Sequence, residues 1–217
     1  MILRPNQRLK LDDTNDKLFY TDPRFVTHVD EGFIQQLTDL YRQRLKPNTR
    51  IFDMMSSWVS HLPAEMQFSY VEGHGLNAEE LARNSRLNHY FVQNINDNPQ
   101  LPLQDQNFDA VLNCVSVQYV QYPEAVFSEI YRILKPGGVA IISFSNRMFF
   151  QKAIQAWRDA SEETRVELVK SYFASVPGFT TPEVIAHKSN IPNFLQWLGA
   201  PGGDPFYAVL AYRNQES

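Results

Sequence analysis

The side chains of widest chemical range in this sequence are five histidines, one cysteine and two closely spaced tyrosines, and their spacing limits what they can do. His28, His61, His74, His89 and His187 show neither a His-x-x-x-His nor a Cys-His spacing, so no metal site is expected. Cys114 is alone and cannot form an internal disulfide; in an apolar stretch a thiol is a small core residue unless its pKa is lowered. No nucleophile-base pair and no pair of carboxylates stands out. What remains is a set of groups suited to binding and positioning. Asp53 precedes Ser56 and Ser57, whose hydroxyls can donate to a carboxylate or cap a helix beginning near Val59. Gly73-His74-Gly75 permits a close backbone approach, or forms a flexible turn. Asn94-Ile95-Asn96 offers amides around an apolar residue, and Tyr119 and Tyr122 can position a substrate, move a proton or simply pack. His28 with Asp30 is a further candidate pair for proton transfer, or a surface contact.

These groups need elements to hold them. From Asp30, Phe33, Leu37, Leu40, Tyr41 and Leu45 recur at helical spacing, and Pro47-Asn48 breaks the pattern before the short apolar run Arg50–Met54. A second run, Phe68–Glu72, precedes Asn77-Ala78-Glu79-Glu80, a capping residue followed by early carboxylates that suit the orphan amides of a helix start. His89–Gln93 and Phe108–Cys114 predict two more strands. Pro123 opens a helix whose Val126, Phe127, Ile130, Tyr131, Ile133 and Leu134 share one face. Lys135-Pro136-Gly137-Gly138 reads as a type II turn into Val139–Phe144, an apolar run with little alternation that predicts a strand buried on both faces. Phe149, Phe150, Ala153, Ile154 and Trp157 predict an amphipathic helix, and Ser161-Glu162-Glu163 caps another reaching Phe173. Two last strands are expected near Glu183–His187 and Phe206–Tyr212, with Asn190–Pro205 and its Trp197 as a loop or short helix between them. Strands alternating with helices predict an α/β fold: three layers, α/β/α, doubly wound on a mostly parallel seven-stranded sheet whose last strand is antiparallel.

With 217 residues, one domain is expected over 1–217, with 1–48 as an N-terminal arm and capping helix and 49–217 as the α/β core. The polar opening to about Asp22 reads as a loosely held arm. A net charge of −4 without any Lys/Arg run gives no footprint for nucleic acid. The lone cysteine and the lack of a signal-peptide pattern or a long apolar run lead to an expected cytoplasmic location with no membrane span.

The stretch Asn107–Asn146, with Phe108-Asp109, an apolar strand, a short loop, a helix, Leu134-Lys135-Pro136-Gly137-Gly138 and a second strand, resembles the second half of the class I S-adenosylmethionine-dependent methyltransferases, of the small-molecule type. Upstream, Leu101-Pro102-Leu103 and Ile51-Phe52-Asp53 fall where that family has a Leu-Pro-Phe segment and an acidic end to its first strand, so the resemblance spans about Thr49 to Asn146. It implies a Rossmann-like fold, S-adenosylmethionine as cofactor with S-adenosylhomocysteine as product, and methyl transfer to an unidentified small molecule. The cofactor-binding positions it implies are Asp53, Ser56, Ser57, Gly73, Gly75, Leu76, Asn94, Ile95, Asn96, Cys114 and Val115. Tyr119, Tyr122 and His28 are the candidates on the acceptor side.

The sequence departs from the family pattern at three places. The turn after the first strand, Asp53-Met54-Met55-Ser56-Ser57-Trp58, contains no glycine, so it must take another path or hold a side-chain-bearing residue at positive φ, at a cost of about 1 kcal/mol or more. The acidic residue expected at the end of the second strand is replaced by Gly75, with Glu72 three positions earlier, and the third strand ends in Asn94 instead of an acid. The alternative function is therefore a methyltransferase-like binding or interaction module that has lost its cofactor, and a pocket filled by Trp58 would favour it.

Overall fold

The computed structural model describes residues 2–188 and 203–215. Its centre is a seven-stranded sheet in the order β3-β2-β1-β4-β5-β7-β6. The strands are β1 (Arg50–Asp53), β2 (Tyr70–Gly75), β3 (His89–Val92), β4 (Phe108–Cys114), β5 (Leu134–Phe144), β6 (Glu183–His187) and β7 (Phe206–Tyr212). All neighbours from β3 through β5 pair in parallel, and β7 runs antiparallel to both β5 and β6. Strand order reverses direction between β1 and β4, and at such a switch point the carboxyl ends of a parallel sheet leave a crevice for a ligand.

The layers follow from side-chain periodicity. Helix α2 (Glu31–Arg44) is capped by Asp30, which accepts from the Phe33 amide, and buries Phe33, Leu37, Leu40 and Tyr41 on one sheet face against Ile51, Leu112 and Ile141. Helices α4 (Pro123–Ile133) and α6 (Glu162–Ala174, capped by Ser161) cover the other face, where Val126, Phe127, Ile130, Val169 and Phe173 meet Phe52, Val111 and Ile142. Along β5 successive residues enter opposite clusters, Val139 and Ile141 on one side and Ala140 and Ile142 on the other, which is why its sequence shows no alternation. Lys135–Gly138 stand out of the β4 pairing, which jumps from Phe108↔Leu134 to Ala110↔Val139; Gly137 supplies the positive φ (78°) of the expected turn.

Four expectations are corrected. Gly73-His74-Gly75 is the last part of β2, not a flexible turn. The crossover from β1 to β2 contains no helix: Met55 and His61 stand at φ 56° and 52°, and Pro63 forbids a helical Leu62 and removes an amide. This crossover instead drops Leu62 and Met66 into the α2 side of the core. The single helix expected over Phe149–Trp157 is broken, leaving only α5 (Gln155–Arg158). One turn forms, with the Ala153 amide on the Phe149 carbonyl (3.0 Å), and then Ile154 donates to the Gln118 carbonyl (3.0 Å) instead of continuing the helix; the Phe149 amide donates to the Tyr119 hydroxyl (2.8 Å). Finally, the N-terminal arm is firmly held. Leu3 is buried in the α4 cluster, and Arg8 and the Ile2 amide bind Glu124 at 2.7 and 2.8 Å. Its short helix α1 (Asp16–Phe19) is fixed by an ionic cluster, in which Lys10 meets Asp16 at 2.6 Å and Lys152 lies within 3.1 Å of Asp12 and 3.7 Å of Asp16. The expected loop over Asn190–Pro205, with Trp197, lies outside the described residues except for its last three positions.

Candidate functional site

At the carboxyl ends of β1, β2 and β4, beneath the arm, lies a cavity of about 380 Å³. Asp53, Ser56, Ser57, Gly75, Leu76, Asn94, Ile95, Asn96, Cys114 and Val115 all line it. Gly73 does not. It sits inside the sheet opposite Tyr90, and a Cβ there would meet Leu87 at 2.3 Å, so packing accounts for that glycine.

Asp53 ends β1 and is buried. Ser56 and Ser60 hydroxyls donate to its Oδ2 at 2.6 and 2.5 Å, which leaves Oδ1 without a described protein partner. Burial pushes its pKa up to about 6, against the two hydroxyl bonds that favour the anion. Met55 takes up the backbone strain that the missing glycine would have avoided, at φ 56°. Its amide donates to Nδ1 of His74 at 3.2 Å, and the Ser56 amide donates to the His74 carbonyl at 2.6 Å. His74 Nε2 in turn donates to the Gln93 carbonyl at 2.8 Å, and burial holds the ring neutral, with a pKa lowered to about 4. The loop thus lies directly across the end of β2, where a Cβ on Gly75 would be 2.6 Å from the Ser56 carbonyl oxygen. No side chain fits at the position where the resemblance called for an acid. Glu72 is no substitute, for it is buried elsewhere, accepting from the Tyr70 hydroxyl (2.7 Å) and held against His89 (2.6 Å).

A carboxylate does reach the cavity from another element. Glu80, on α3 (Ala78–Arg83), accepts from the Ser57 hydroxyl at 2.6 Å and from the Arg24 amide at 2.7 Å. The sequence signal was present, because Asn77 and the following acids mark the helix start and fix Glu80 near the end of β2, but that pattern reads equally as ordinary capping.

The remaining wall comes from β3 and β4. Asn94 uses its Oδ1 to accept the Asn96 amide (3.1 Å), leaving Nδ2 as the group for a ligand. The Asn96 side chain is occupied instead, bonding Asp16, the Tyr119 carbonyl and the Gln121 amide at 3.0, 3.0 and 2.8 Å. Val115 holds φ 48°, a strained state for a β-branched residue and, with Met55 and His61, the third strained point on the cavity wall. Burial raises the Cys114 thiol to about 12, which removes it as a nucleophile. Ser116 and Gln118 line the cavity, and Ser116 Oγ and Gln118 Oε1 are buried without a hydrogen-bond partner among the described residues.

Of the three acceptor-side candidates, two reach the cavity. Tyr119 lines it with a buried hydroxyl whose pKa is raised by desolvation, so it is a donor or acceptor of hydrogen bonds and not a base. His28 lines the mouth edge-on to Phe149, with ring centroids 5.3 Å apart and its pKa lowered by desolvation. It is not paired with Asp30, whose carboxylate caps α2 and accepts the Asp204 amide at 2.6 Å. Tyr122 stands 47% exposed under Arg8 and away from the lining residues. Trp58 does not fill the cavity either. Its Nε1 donates to the Val26 carbonyl (3.1 Å) and clamps the arm from outside. Lining residues the sequence did not single out, Tyr20, Arg24, Phe149 and Lys152 among them, come from the arm and from the broken segment before α5. Among the described residues no cluster of metal-binding side chains occurs, and no helix is long and apolar enough to cross a membrane.

Residues 64–142 match the family model described as a methyltransferase domain, a match that begins beyond the glycine-free turn. Over 105 residues the chain is 27% identical to a malonyl-[acyl-carrier protein] O-methyltransferase from Marinomonas sp. (strain MWYL1), covering 48% of this chain and 39% of that protein. Over 108 residues it is 31% identical to a sterol 24-C-methyltransferase from Schizosaccharomyces pombe, covering 46% and 28%. The chain thus spans well under half the length of these relatives. Phosphoethanolamine N-methyltransferase 2 of Haemonchus contortus, solved with S-adenosyl-L-methionine, superposes with a TM-score of 0.56 at 19% identity, covering 83% of this chain and 52% of that one. The fold is that of the class I S-adenosylmethionine-dependent methyltransferases, and the matched segment is related to them in sequence.

Proposed function

We propose that this chain, with its class I methyltransferase fold, is an S-adenosylmethionine-dependent enzyme that moves a methyl group to a small molecule. The observation that carries this reading is the cavity of about 380 Å³ at the switch point of the sheet, lined by Asp53, Asn94, Ile95 and Val115 at the strand ends where such a cofactor would lie. The residues present fit that group. Asp53 Oδ1 suits its ammonium, Glu80 and Ser57 on the far side of Gly75 suit ribose hydroxyls, and Ile95 with Asn94 Nδ2 suits a purine face and edge.

When bound, S-adenosylmethionine supplies a methyl group on a sulfonium, an already strong leaving group. The chain's own task is then alignment and exclusion of water. The arm does the second, closing over the sheet ends with Tyr20, Arg24 and His28. His28, kept neutral by desolvation, is the residue able to take a proton from an acceptor, while Tyr119 orients it. A lone, half-buried thiol and a net charge of −4 suit a cytoplasmic enzyme without a nucleic-acid substrate.

One observation favours the competing reading, a binding module without cofactor: the Met55 and Ser56 amides of the first loop are spent on His74 and do not face a ligand. The test that separates the two is incubation with methyl-labelled S-adenosylmethionine and a small-molecule extract. Label appearing in a small molecule supports the enzyme. Label remaining entirely on the cofactor, with acceptors of every fraction supplied, supports the module.

A further inference from the structure

We infer that the arm-side end of the cavity is a subsite for an anionic group on the acceptor, a carboxylate or phosphate, held by Arg24, with a hydroxyl or amine of the same molecule directed toward Gln118. This rests on the methyltransferase reading for the word acceptor; the anion subsite itself rests on geometry alone.

The Arg24 guanidinium is enclosed by three rings, with its carbon 4.6 Å from the centroid of Phe19, 5.5 Å from Tyr20 and 5.4 Å from Phe149. Its Nη2 donates to the Phe19 carbonyl at 2.9 Å, while Nη1 is buried and has no hydrogen-bond partner among the described residues. Other cations of the lining are matched. Lys152 is met by Asp12 and Asp16, and Arg147 by Asp204 at 2.7 Å. Glu80 is occupied by the Ser57 hydroxyl and by the backbone amide of Arg24, and among the described residues no carboxylate forms an ion pair with the Arg24 guanidinium. Ring faces offset part of the cost of burying a cation, but they leave a buried N–H unsatisfied, and a guanidinium with a spare donor edge binds carboxylate or phosphate oxygens well.

Two further residues lining the same cavity carry orphaned buried atoms. Gln118 is 1% exposed and its Nε2 donates to the Val115 carbonyl (2.7 Å); among the described residues its Oε1 accepts nothing and Ser116 Oγ is also without a partner. An unsatisfied acceptor calls for a ligand that donates. A molecule with an anion at one end and an O–H or N–H at the other satisfies both.

The experiment uses the full chain saturated with S-adenosylhomocysteine and calorimetric titration of two matched pairs: 4-hydroxyphenylacetate against its neutral amide, and O-phosphoethanolamine against ethanolamine. The expected result is that the anion of at least one pair binds about tenfold or more tightly than its neutral partner, and the pair that responds tells carboxylate from phosphate. Arg24→Gln abolishes that preference, whereas Arg24→Lys keeps it. Equal binding within both pairs, no binding of either anion at about 10 mM, or a preference that survives Arg24→Gln overturns the subsite. Since the pairs are also titrated without S-adenosylhomocysteine, loss of cofactor binding alone counts against the methyltransferase reading and not against the anion site. A variant that melts early is replaced by the wild-type comparison within each pair, which needs no substitution.

Discussion

The Met55 amide donates to Nδ1 of His74 at 3.2 Å, and the same ring donates from Nε2 to the Gln93 carbonyl at 2.8 Å. One neutral imidazole therefore ties the loop after β1 to the end of β3 across β2. Its pKa, lowered by burial to about 4, lies below the unfolded value near 6.5, so its contribution is complete above about 6.5 and is lost as pH falls toward 4. His74→Phe keeps the volume and removes both bonds. It is expected to cost about 1–3 kcal/mol at neutral pH by urea unfolding, with the difference from wild type shrinking in acid.

Asp53 acts with the opposite sign. Its folded pKa, about 6, is above the unfolded value of 3.8, so ionising it costs stability as pH rises between those values. Asp53→Asn is expected to match wild type near pH 4 and to exceed it by about 1–3 kcal/mol at pH 7.5, at the expense of any cationic ligand. Comparing the two variants' unfolding curves across that range separates contributions that partly cancel in the wild type.

Gly75→Asp restores the acidic residue of the family pattern, yet it is expected to weaken cofactor binding by tenfold or more and to lower the melting temperature. Its Cβ would lie 2.6 Å from the Ser56 carbonyl oxygen, which is backbone and cannot swing away. Improved binding in a calorimetric titration would show that the loop moves aside readily.

Much of the architecture was legible because periodicity and capping are local signals. Phe108–Cys114, Glu183–His187 and Phe206–Tyr212 form the strands their patterns indicate, and Asn77 and Ser161 cap the helices expected of them. The lining of the cavity was legible at strand ends, where order along the chain fixes position. It was illegible where contacts join distant segments. Asn96 is bound to Asp16 and Tyr119, Phe149 to Tyr119, and Glu80 to Arg24, and no spacing rule links such positions. The arm looked loose because many of its anchors, Arg8, Lys10 and Asp16 among them, are ions, whose pairing with distant residues leaves no periodic pattern.

Those ions carry a prediction. Asp16→Ala leaves Lys10 and Lys152, both nearly inaccessible, short of a counter-charge, and is expected to destabilise the protein by about 3–5 kcal/mol or to release the arm. Limited proteolysis within residues 2–22 distinguishes release from global unfolding.

The most direct test of the account is calorimetric titration of the purified chain with S-adenosylmethionine at pH 7.5 and at pH 5, repeated on Asp53→Ala. The expected result is micromolar binding at pH 7.5 that weakens at pH 5, as Asp53 with its pKa of about 6 takes up a proton, and that is lost in the variant. No heat and no thermal stabilisation at millimolar cofactor, from protein shown to be folded, would contradict the methyltransferase reading and leave a binding module in its place.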